Sequence, residues 1–283
     1  KNDILIKNFE RKRVEIKMIS VLKTKFFGSI SLKSGLFFMF LMITFCSLFM
    51  GSFDTFAATV EDRVDDFIYN KEKPEKVVYL TFDDGPSRYS LEILDVLDQY
   101  DVPAIFFVIG ENIELFSNAK EILTEMVERG HYIGLHSMTH NMDSLYHGPN
   151  APQNFVKEML ADQKMVYDLT EGFTSQLCRP PYGGRNHLTR EHYVALEEAG
   201  ITCIDWNVDS LDWSKSSADQ IFRQVVAEQK RNQDAKEVVL LFHEKKFTLE
   251  VLSQVIEYYR SLGYEFMPYC EGEDFNCTLS NEK

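Results

Sequence analysis

Short apolar runs recur along residues 75–270 and alternate with longer segments of mixed polarity. The runs are rich in β-branched and aromatic residues, which favour strands. They lie at 77–82, 104–109, 132–136, 176–179, 201–208, 238–243 and 264–267. This pattern predicts seven short strands.

The segments between these runs have the spacing of amphipathic helices. Leu91, Leu94 and Leu97 share one helical face, and Gly130 and Gly200 each stand just before a predicted strand. Glycine is the usual residue just past a helix end. Strands that alternate with helices predict an α/β fold with a parallel sheet, either open and doubly wound or closed into a small, incomplete barrel. In both cases reactive groups are expected at the carboxyl ends of the strands.

The N-terminal fifth has a different pattern. Residues 34–53 carry no charge, and basic side chains dominate the segment before them. A run of this length can be a signal peptide or an uncleaved transmembrane anchor, and both place the following chain outside the cytoplasm. We therefore expect a basic cytoplasmic or n-region at 1–33, the apolar segment at 34–58 and a linker at 59–74. A catalytic domain at 75–270 and a C-terminal tail at 271–283 complete the plan.

Charge separates the same two parts of the chain. Residues 1–58 hold 9 basic and 4 acidic side chains, whereas the whole chain holds 30 and 44, which leaves a net charge of −19 for residues 59–283. A region with this much negative charge repels the phosphate backbone of nucleic acids, and we therefore expect no nucleic-acid partner. Five cysteines in 283 residues are too few for a disulfide-built scaffold.

Two clusters at predicted strand ends carry candidate metal chemistry. Asp83 and Asp84 precede a Gly-Pro pair, and His136 and His140 stand four residues apart. Taken alone, the acids also suit an ordinary Asp-Gly turn, and the histidine spacing also arises by chance. Together they offer two histidines and a carboxylate, a set that leaves coordination positions open for water and substrate.

Three further clusters also follow predicted strands. Arg179 begins the sequence Arg-Pro-Pro-Tyr-Gly, Asp209 begins Asp-Ser-Leu-Asp-Trp, and His243 ends Leu-Phe-His. Each is common when taken singly: a proline turn, an acidic loop and a histidine at a strand end.

The ordered set of five is specific. It resembles the polysaccharide deacetylases of carbohydrate esterase family 4, the NodB homology domain, whose motifs are TFDDGP, H-S/T-x-x-H, R-x-P-Y, D-x-x-D-W and L-x-H. The resemblance covers roughly residues 75–270. It implies a distorted, incomplete (β/α)7 barrel.

The resemblance also implies a role for each motif residue. Asp84, His136 and His140 would bind a divalent metal, usually Zn²⁺, with Co²⁺ or another ion possible. Asp83 would be the general base that takes a proton from water, and Arg179 would hold it in place.

The remaining motif residues would serve the other half of the reaction. The Tyr182 backbone N–H would stabilise the oxyanion. His243 would protonate the departing amine, and Asp209 would orient His243. Trp213 and Leu241 would line the pocket for the acetyl methyl group.

The function implied is metal-dependent hydrolysis of N-acetyl groups on a polysaccharide, with release of acetate. Export favours the cell wall, and within it the N-acetylglucosamine of peptidoglycan. Chitin oligosaccharides and O-acetyl-xylan are alternative substrates. A non-catalytic carbohydrate-binding relative would lack the base or a ligand, and small cyclic amides are disfavoured by the export signal. The expected partners are the polysaccharide and, if the apolar segment is uncleaved, the membrane.

The cysteines allow predictions of their own. If 201–208 is one strand, Cys203 lies at its far end from Asp209, and at about 3.3 Å per residue it is offset by about 16 Å from Cys178. A disulfide requires Cα atoms within about 7 Å, so both thiols are expected to be buried, unpaired and inert. Cys270 and Cys277 flank a short acidic loop, and a disulfide and two thiols are both open there.

Overall fold

The computed structural model describes residues 74–271 and 277–279. Eight strands form one sheet in the order β5-β4-β3-β2-β1-β7-β6, with β8 beside the start of β1. The strands are β1 Val77–Gly85, β2 Ala104–Val108, β3 Tyr132–Leu135, β4 Leu177–Cys178, β5 Thr202–Cys203, β6 Val208–Asp209, β7 Glu237–His243 and β8 Glu265–Phe266. Every pair among them is parallel. The sheet curls into the incomplete (β/α) barrel expected from the sequence.

Helices connect most of these strands. They are α1 Ser90–Gln99, α2 Gly110–Leu115, α3 Ala119–Glu128, α4 Met142–Tyr146, α5 Ala151–Leu169, α6 Arg190–Glu198, α7 Ala218–Arg231 and α8 Lys246–Ser261. Across the described part of the chain, no helix combines the length and apolarity needed to cross a bilayer.

Burial explains why these segments adopt their structures. The five residues of β2 are all buried, as expected for a central parallel strand covered on both faces. On α1, Leu94 and Leu97 are fully buried against the sheet, which confirms the helical face predicted there. One large core cluster joins β1, β2 and β7 to α1, α3 and α8. The middle of the sheet is therefore a rigid base for the loops that follow its strands.

The predicted strand at 201–208 is wrong in one respect. It consists of two short strands: Cys203 in β5 pairs with Cys178 in β4, whereas Val208 in β6 pairs with Leu240 in β7. Because β5 and β6 are the two ends of the strand order, residues 204–207 cross the open side of the barrel. This crossing explains why the predicted run does not form one strand.

The split strand also corrects the prediction for the first cysteine pair. Cys178 and Cys203 are register partners on adjacent strands, so the expected separation of about 16 Å, which assumed one straight strand, is wrong. Both are buried and neither forms a disulfide, as expected. Burial, with a contribution from Cys178, raises the pKa of the Cys203 thiol well above its ordinary value.

The last described residues belong to the fold. Thr278 pairs antiparallel with Ile204, and Leu279 N–H donates to Cys203 O at 2.8 Å. Residues 277–279, within the predicted tail at 271–283, therefore lie against β5, and the domain boundary at 270 stays a prediction. Cys277 is buried, and although both residues are described, no disulfide joins it to Cys270.

The predictions for residues 1–33, 34–58 and 59–73 lie outside the described residues.

Candidate metal centre and active site

The site is built around the turn that ends β1. The pairing of β1 with β2 shifts register between Phe82 and Gly85, and Asp84 adopts a left-handed backbone conformation with φ 62°. Asn112 donates its side-chain N–H to Asp84 O at 2.8 Å. This turn directs the two neighbouring carboxylates, Asp83 and Asp84, to different partners.

Asp84 meets both motif histidines. Its Oδ1 lies 3.4 Å from His136 Nε2 and 3.5 Å from His140 Nε2. One potential ligand atom from each of the three residues lies within 4.8 Å of the others. The structure thus brings together the three residues predicted to bind the metal.

Hydrogen bonds prepare His136 to act as a ligand. Its Nδ1 lies 2.7 Å from Arg179 O, which can only accept, so Nδ1 carries the proton and Nε2 presents its lone pair. Asp84 Oδ1 is buried and has no hydrogen-bond partner in the described structure. A buried acceptor without a donor, facing two imidazole nitrogens, is the arrangement that a divalent cation satisfies.

Electrostatics favour the ligand forms of these side chains. Burial acts to raise the pKa of Asp84, but the neighbouring imidazoles of His136, His243 and His140 outweigh it and hold the pKa well below its ordinary value. Burial and then His136 lower the pKa of His140. Asp84 is therefore ionised and His140 tends to be neutral, as metal coordination requires.

Asp83 lies between this cluster and Arg179: its Oδ2 is 3.8 Å from His136 Nε2, and its Oδ1 is bound to the guanidinium. Arg179 Nη1 donates to Asp83 Oδ1 at 2.8 Å and to Thr81 Oγ1 at 2.7 Å. The guanidinium is fully buried and lies 4.4 Å from the centre of the Phe107 ring. A buried charge with two fixed partners has little freedom, so the predicted Arg179–Asp83 contact is confirmed and Asp83 is held rigidly.

His243 is oriented by Asp212, and the prediction that Asp209 does so is wrong. His243 Nδ1 lies 2.7 Å from Asp212 Oδ1, and Asp212 Oδ2 accepts from the His243 backbone N–H at 2.7 Å. Asp209 Oδ1 instead accepts from the Leu211 backbone N–H at 2.8 Å. Leu211 has φ 51°, and this sharp turn carries Asp212 back toward β7.

Asp212 also determines the acidity of His243. Burial acts to lower the pKa of His243, but the hydrogen bond and charge of Asp212, with Asp83 and Asp84, outweigh it and raise the pKa. The other ring nitrogen, Nε2, lies 3.8 Å from Asp84 Oδ2. An imidazole that retains its proton and faces the metal cluster is suited to donate that proton there.

The remaining predicted residues lie around this centre in different environments. Tyr182 has φ 65°, and its hydroxyl donates to His140 O at 3.0 Å, so it contacts the metal loop through its side chain. Trp213 is 59% exposed, whereas Leu241 is buried in β7 beside Thr81 and Asp209. The pocket role of these last two residues stays a prediction.

Two carboxylates on α5 were missed by the sequence analysis. Asp162 Oδ2 accepts from the His136 backbone N–H at 3.1 Å, and Glu158 accepts from the Thr139 N–H at 3.1 Å and from its hydroxyl at 2.8 Å. One signal was available: Asp162 falls on the apolar face of α5 with Phe155 and Met159. A carboxylate at a core-facing position requires a buried donor.

Comparisons with known proteins agree with this geometry. The sequence model of the polysaccharide deacetylase family matches residues 70–204. A peptidoglycan-N-acetylglucosamine deacetylase of Bacillus cereus is 35% identical over 206 residues, which are 72% of this chain and 72% of that protein. A peptidoglycan-N-acetylglucosamine deacetylase of Listeria monocytogenes is 33% identical over 198 residues, 70% of this chain but 39% of that longer protein. The crystal structure of a polysaccharide deacetylase from Bacillus cereus matches with a TM-score of 0.65 and 34% identity, covering 72% of this chain and 97% of that structure.

Proposed function

Since this chain belongs to the polysaccharide deacetylase family, we propose that it hydrolyses the N-acetyl groups of peptidoglycan N-acetylglucosamine with the help of a divalent metal, releasing acetate. One observation carries the proposal. The Asp84–His136–His140 cluster has an anchored carboxylate, Asp83, on one side and an oriented imidazole, His243, on the other.

Asp84, His136 and His140 would hold the ion, with Zn²⁺ the expected species. Bound there, a divalent ion supplies Lewis acidity that polarises the acetamide carbonyl and makes water easier to deprotonate. Two nitrogens and one oxygen leave positions open for water and substrate, and the described ligand set contains no thiolate that would close the site.

Asp83 accepts the proton of the attacking water. Its Oδ1 is occupied by Arg179, which leaves Oδ2, the oxygen 3.8 Å from His136 Nε2, directed toward the reacting centre. The fixed guanidinium prevents the carboxylate from rotating, so that the base is already in place when substrate binds.

His243 donates the proton that the amine needs to leave. Asp212 holds the Nδ1 side, which leaves Nε2 toward the cluster, and it stabilises the imidazolium before the transfer. An amide nitrogen is a poor leaving group unless it is protonated, so the reaction needs an acid as well as a base, and the structure offers His243 separately from Asp83.

Negative charge on the carbonyl oxygen needs a donor as well. The turn at Tyr182 and Gly183, both in left-handed conformations, lies next to His140 and suits the expected role of the Tyr182 backbone N–H. A preorganised donor of this kind contributes about 3–4 kcal/mol to the transition state.

The choice of peptidoglycan has two supports. Relatives from Bacillus cereus and Listeria monocytogenes carry that substrate in their names. The uncharged run at 34–53 is typical of export, so we propose that the catalytic body acts at the cell envelope.

The decisive experiment measures acetate release by the full chain from purified peptidoglycan and, in parallel, from N-acetylated chitin oligomers. Chelation should abolish acetate release, and added Zn²⁺ should restore it. The variant His140→Ala should be inactive both after chelation and after Zn²⁺ is added. Release from chitin oligomers alone would replace the proposed substrate. Activity that persists after the metal has been removed and its loss verified would refute the mechanism.

A further inference from the structure

The backbone contact between β1 and β7 ends with the pair Asp83 and His243. The residue directly after β7 is Glu244, which is 5% exposed and lies in the interior. A buried carboxylate is costly unless it has partners, so its contacts require an explanation.

Those partners lie just beyond the metal turn. Glu244 Oε2 accepts from the Ser87 backbone N–H at 3.2 Å and from the Ser90 hydroxyl. Ser90 Oγ in turn accepts from the Ser87 N–H at 2.8 Å. The carboxylate thus fixes the chain that leaves the Asp83–Asp84 turn and enters α1.

Packing makes the contact tight. A Cβ added at Gly85 would come within 2.1 Å of Glu244 Oε1, so the turn lies directly against the carboxylate. On the other side of the turn, Ile109 N–H donates to Gly85 O at 2.8 Å and Asn112 donates to Asp84 O. The metal turn is therefore held between the β2 side and Glu244.

We infer that Glu244 is a positioning residue that fixes the Asp83–Asp84 turn relative to His243. It directly follows His243, the last residue of β7, and so one short segment carries both the acid and the support for the base and the metal ligand. Loss of this support lets the turn move independently of β7. The expected effect on turnover rests on the proposed function, whereas the expected effect on Zn²⁺ affinity is independent of it.

The test compares Glu244→Ala with Glu244→Gln in the full chain. Removal of groups that orient metal ligands typically costs about 10–100-fold in metal affinity or activity, and we expect Glu244→Ala to lose that much in kcat on chitin oligomers and in Zn²⁺ affinity, with little change in KM. Glutamine keeps the length and an acceptor for the Ser87 N–H, so Glu244→Gln should stay within about threefold of the native protein in both measurements. Zn²⁺ affinity is measured by competition with a chromophoric chelator.

Two further variants separate positioning from stability. Val255→Ala in α8 leaves a cavity in the core away from the turn and should lower the unfolding midpoint while Zn²⁺ affinity is kept. Ser90→Ala removes one partner of Glu244 and should lower Zn²⁺ affinity in the same direction, which tests the inference even if Glu244→Ala does not fold.

Several outcomes would overturn the inference. One is native Zn²⁺ affinity in Glu244→Ala; another is native affinity in Ser90→Ala if Glu244→Ala cannot be purified. Equal losses in the glutamine and alanine variants would also contradict it. If the native chain binds Zn²⁺ but releases no acetate from any substrate, the proposed function fails and the affinity comparison still decides the role of Glu244.

Discussion

At the scale of single residues, the adjacent carboxylates Asp83 and Asp84 have opposite environments. Asp83 is paired with a permanent cation, Arg179, whereas Asp84 faces imidazoles and has a buried oxygen without a donor. The first arrangement suits a base that stays in place, and the second suits a metal ligand.

The division predicts distinct losses on substitution. Asp83→Asn should retain Zn²⁺ because the three ligands remain, and should lose most turnover because an amide cannot accept the proton; a positioned base contributes about 10²–10⁴-fold. Asp84→Asn should lose Zn²⁺ affinity. Chelator competition and acetate release from chitin oligomers measure the two effects, and the reverse pattern would mean that the two roles are exchanged.

Asp212 provides a prediction in pH. Against the opposing effect of burial, Asp212 raises the pKa of His243, so the imidazole keeps its proton to higher pH. In Asp212→Asn that pKa falls, and the alkaline limb of the kcat/KM profile should move to lower pH, with a lower maximum. Asp209→Asn is the matched control and should leave the alkaline limb in place. A limb that moves with Asp209 and not with Asp212 would contradict the structure.

The sequence predicted ten site residues by type and order, and the prediction failed where a loop decides which side chain reaches inward. Asp209 ends β6 and Asp212 follows three residues later, and composition does not distinguish them. The choice depends on the left-handed turn at Leu211, which returns the chain to β7. Contacts such as Asp162 to His136 N–H were missed for a similar reason, because they join positions 26 residues apart.

At the scale of elements, α5 supports the metal loop. Asp162 and Glu158 lie one helical turn apart, and they accept from backbone N–H groups at the beginning and middle of the loop that carries His136 and His140. The core side of α5, through Phe155 and Met159, anchors the helix itself.

This support predicts a graded effect. Asp162→Ala removes one of two acceptors of the His136 N–H, which keeps its hydrogen bond to Val108 O at 2.9 Å. The change should cost about 0.5–1.5 kcal/mol in the free energy of unfolding, together with a loss of Zn²⁺ affinity. Asp162→Asn keeps an acceptor and should lie closer to the native protein in both properties. Urea unfolding and chelator competition measure them, and an alanine variant with native values would show that α5 does not support the loop.

The split of the predicted strand 201–208 is also an effect at this scale. Thr202, Asp205 and Asn207 interrupt the apolar residues of this run, but periodicity alone could not show that the chain leaves one edge of the sheet there and joins the other. The crossing is marked by polar contacts: Asp205 accepts from Gly184 N–H at 2.9 Å, and Asn207 Nδ2 donates to Glu237 O at 2.8 Å. By contrast, the predictions at 77–82, 104–109 and 238–243 agree with the structure, because each of these runs forms one continuous buried strand in the middle of the sheet.

At the scale of the whole molecule, the described C-terminal residues cover an edge of the sheet. β5 is an edge strand, and 277–279 lie along the chain that leaves it, with hydrogen bonds from Asp205 N–H to Cys277 O at 3.0 Å and from Leu279 N–H to Cys203 O. Covered edges prevent unwanted pairing with other chains.

Deletion of residues 277–283 should therefore destabilise the molecule. Two backbone hydrogen bonds are lost, at about 1 kcal/mol each, and buried apolar contacts of Cys277 are lost with them. The midpoint of urea unfolding should fall, and self-association should rise in sedimentation experiments. Leu279→Ala, which keeps the backbone pairing, should show a smaller shift, and an unchanged midpoint after the deletion would disprove the contribution of this segment.

The register between β1 and β7 determines which parts of the molecule can change without effect on the catalytic geometry. Asp83 and His243 are opposite each other on neighbouring parallel strands, whose spacing is fixed by backbone hydrogen bonds at about 4.8 Å. The sheet thus fixes the distance between the backbone positions of the base and the acid. That distance does not depend on the length or composition of any surface loop. Loops that contact the polymer can be exchanged, as in grafting experiments or among relatives with different substrates, without resetting the proton-transfer geometry.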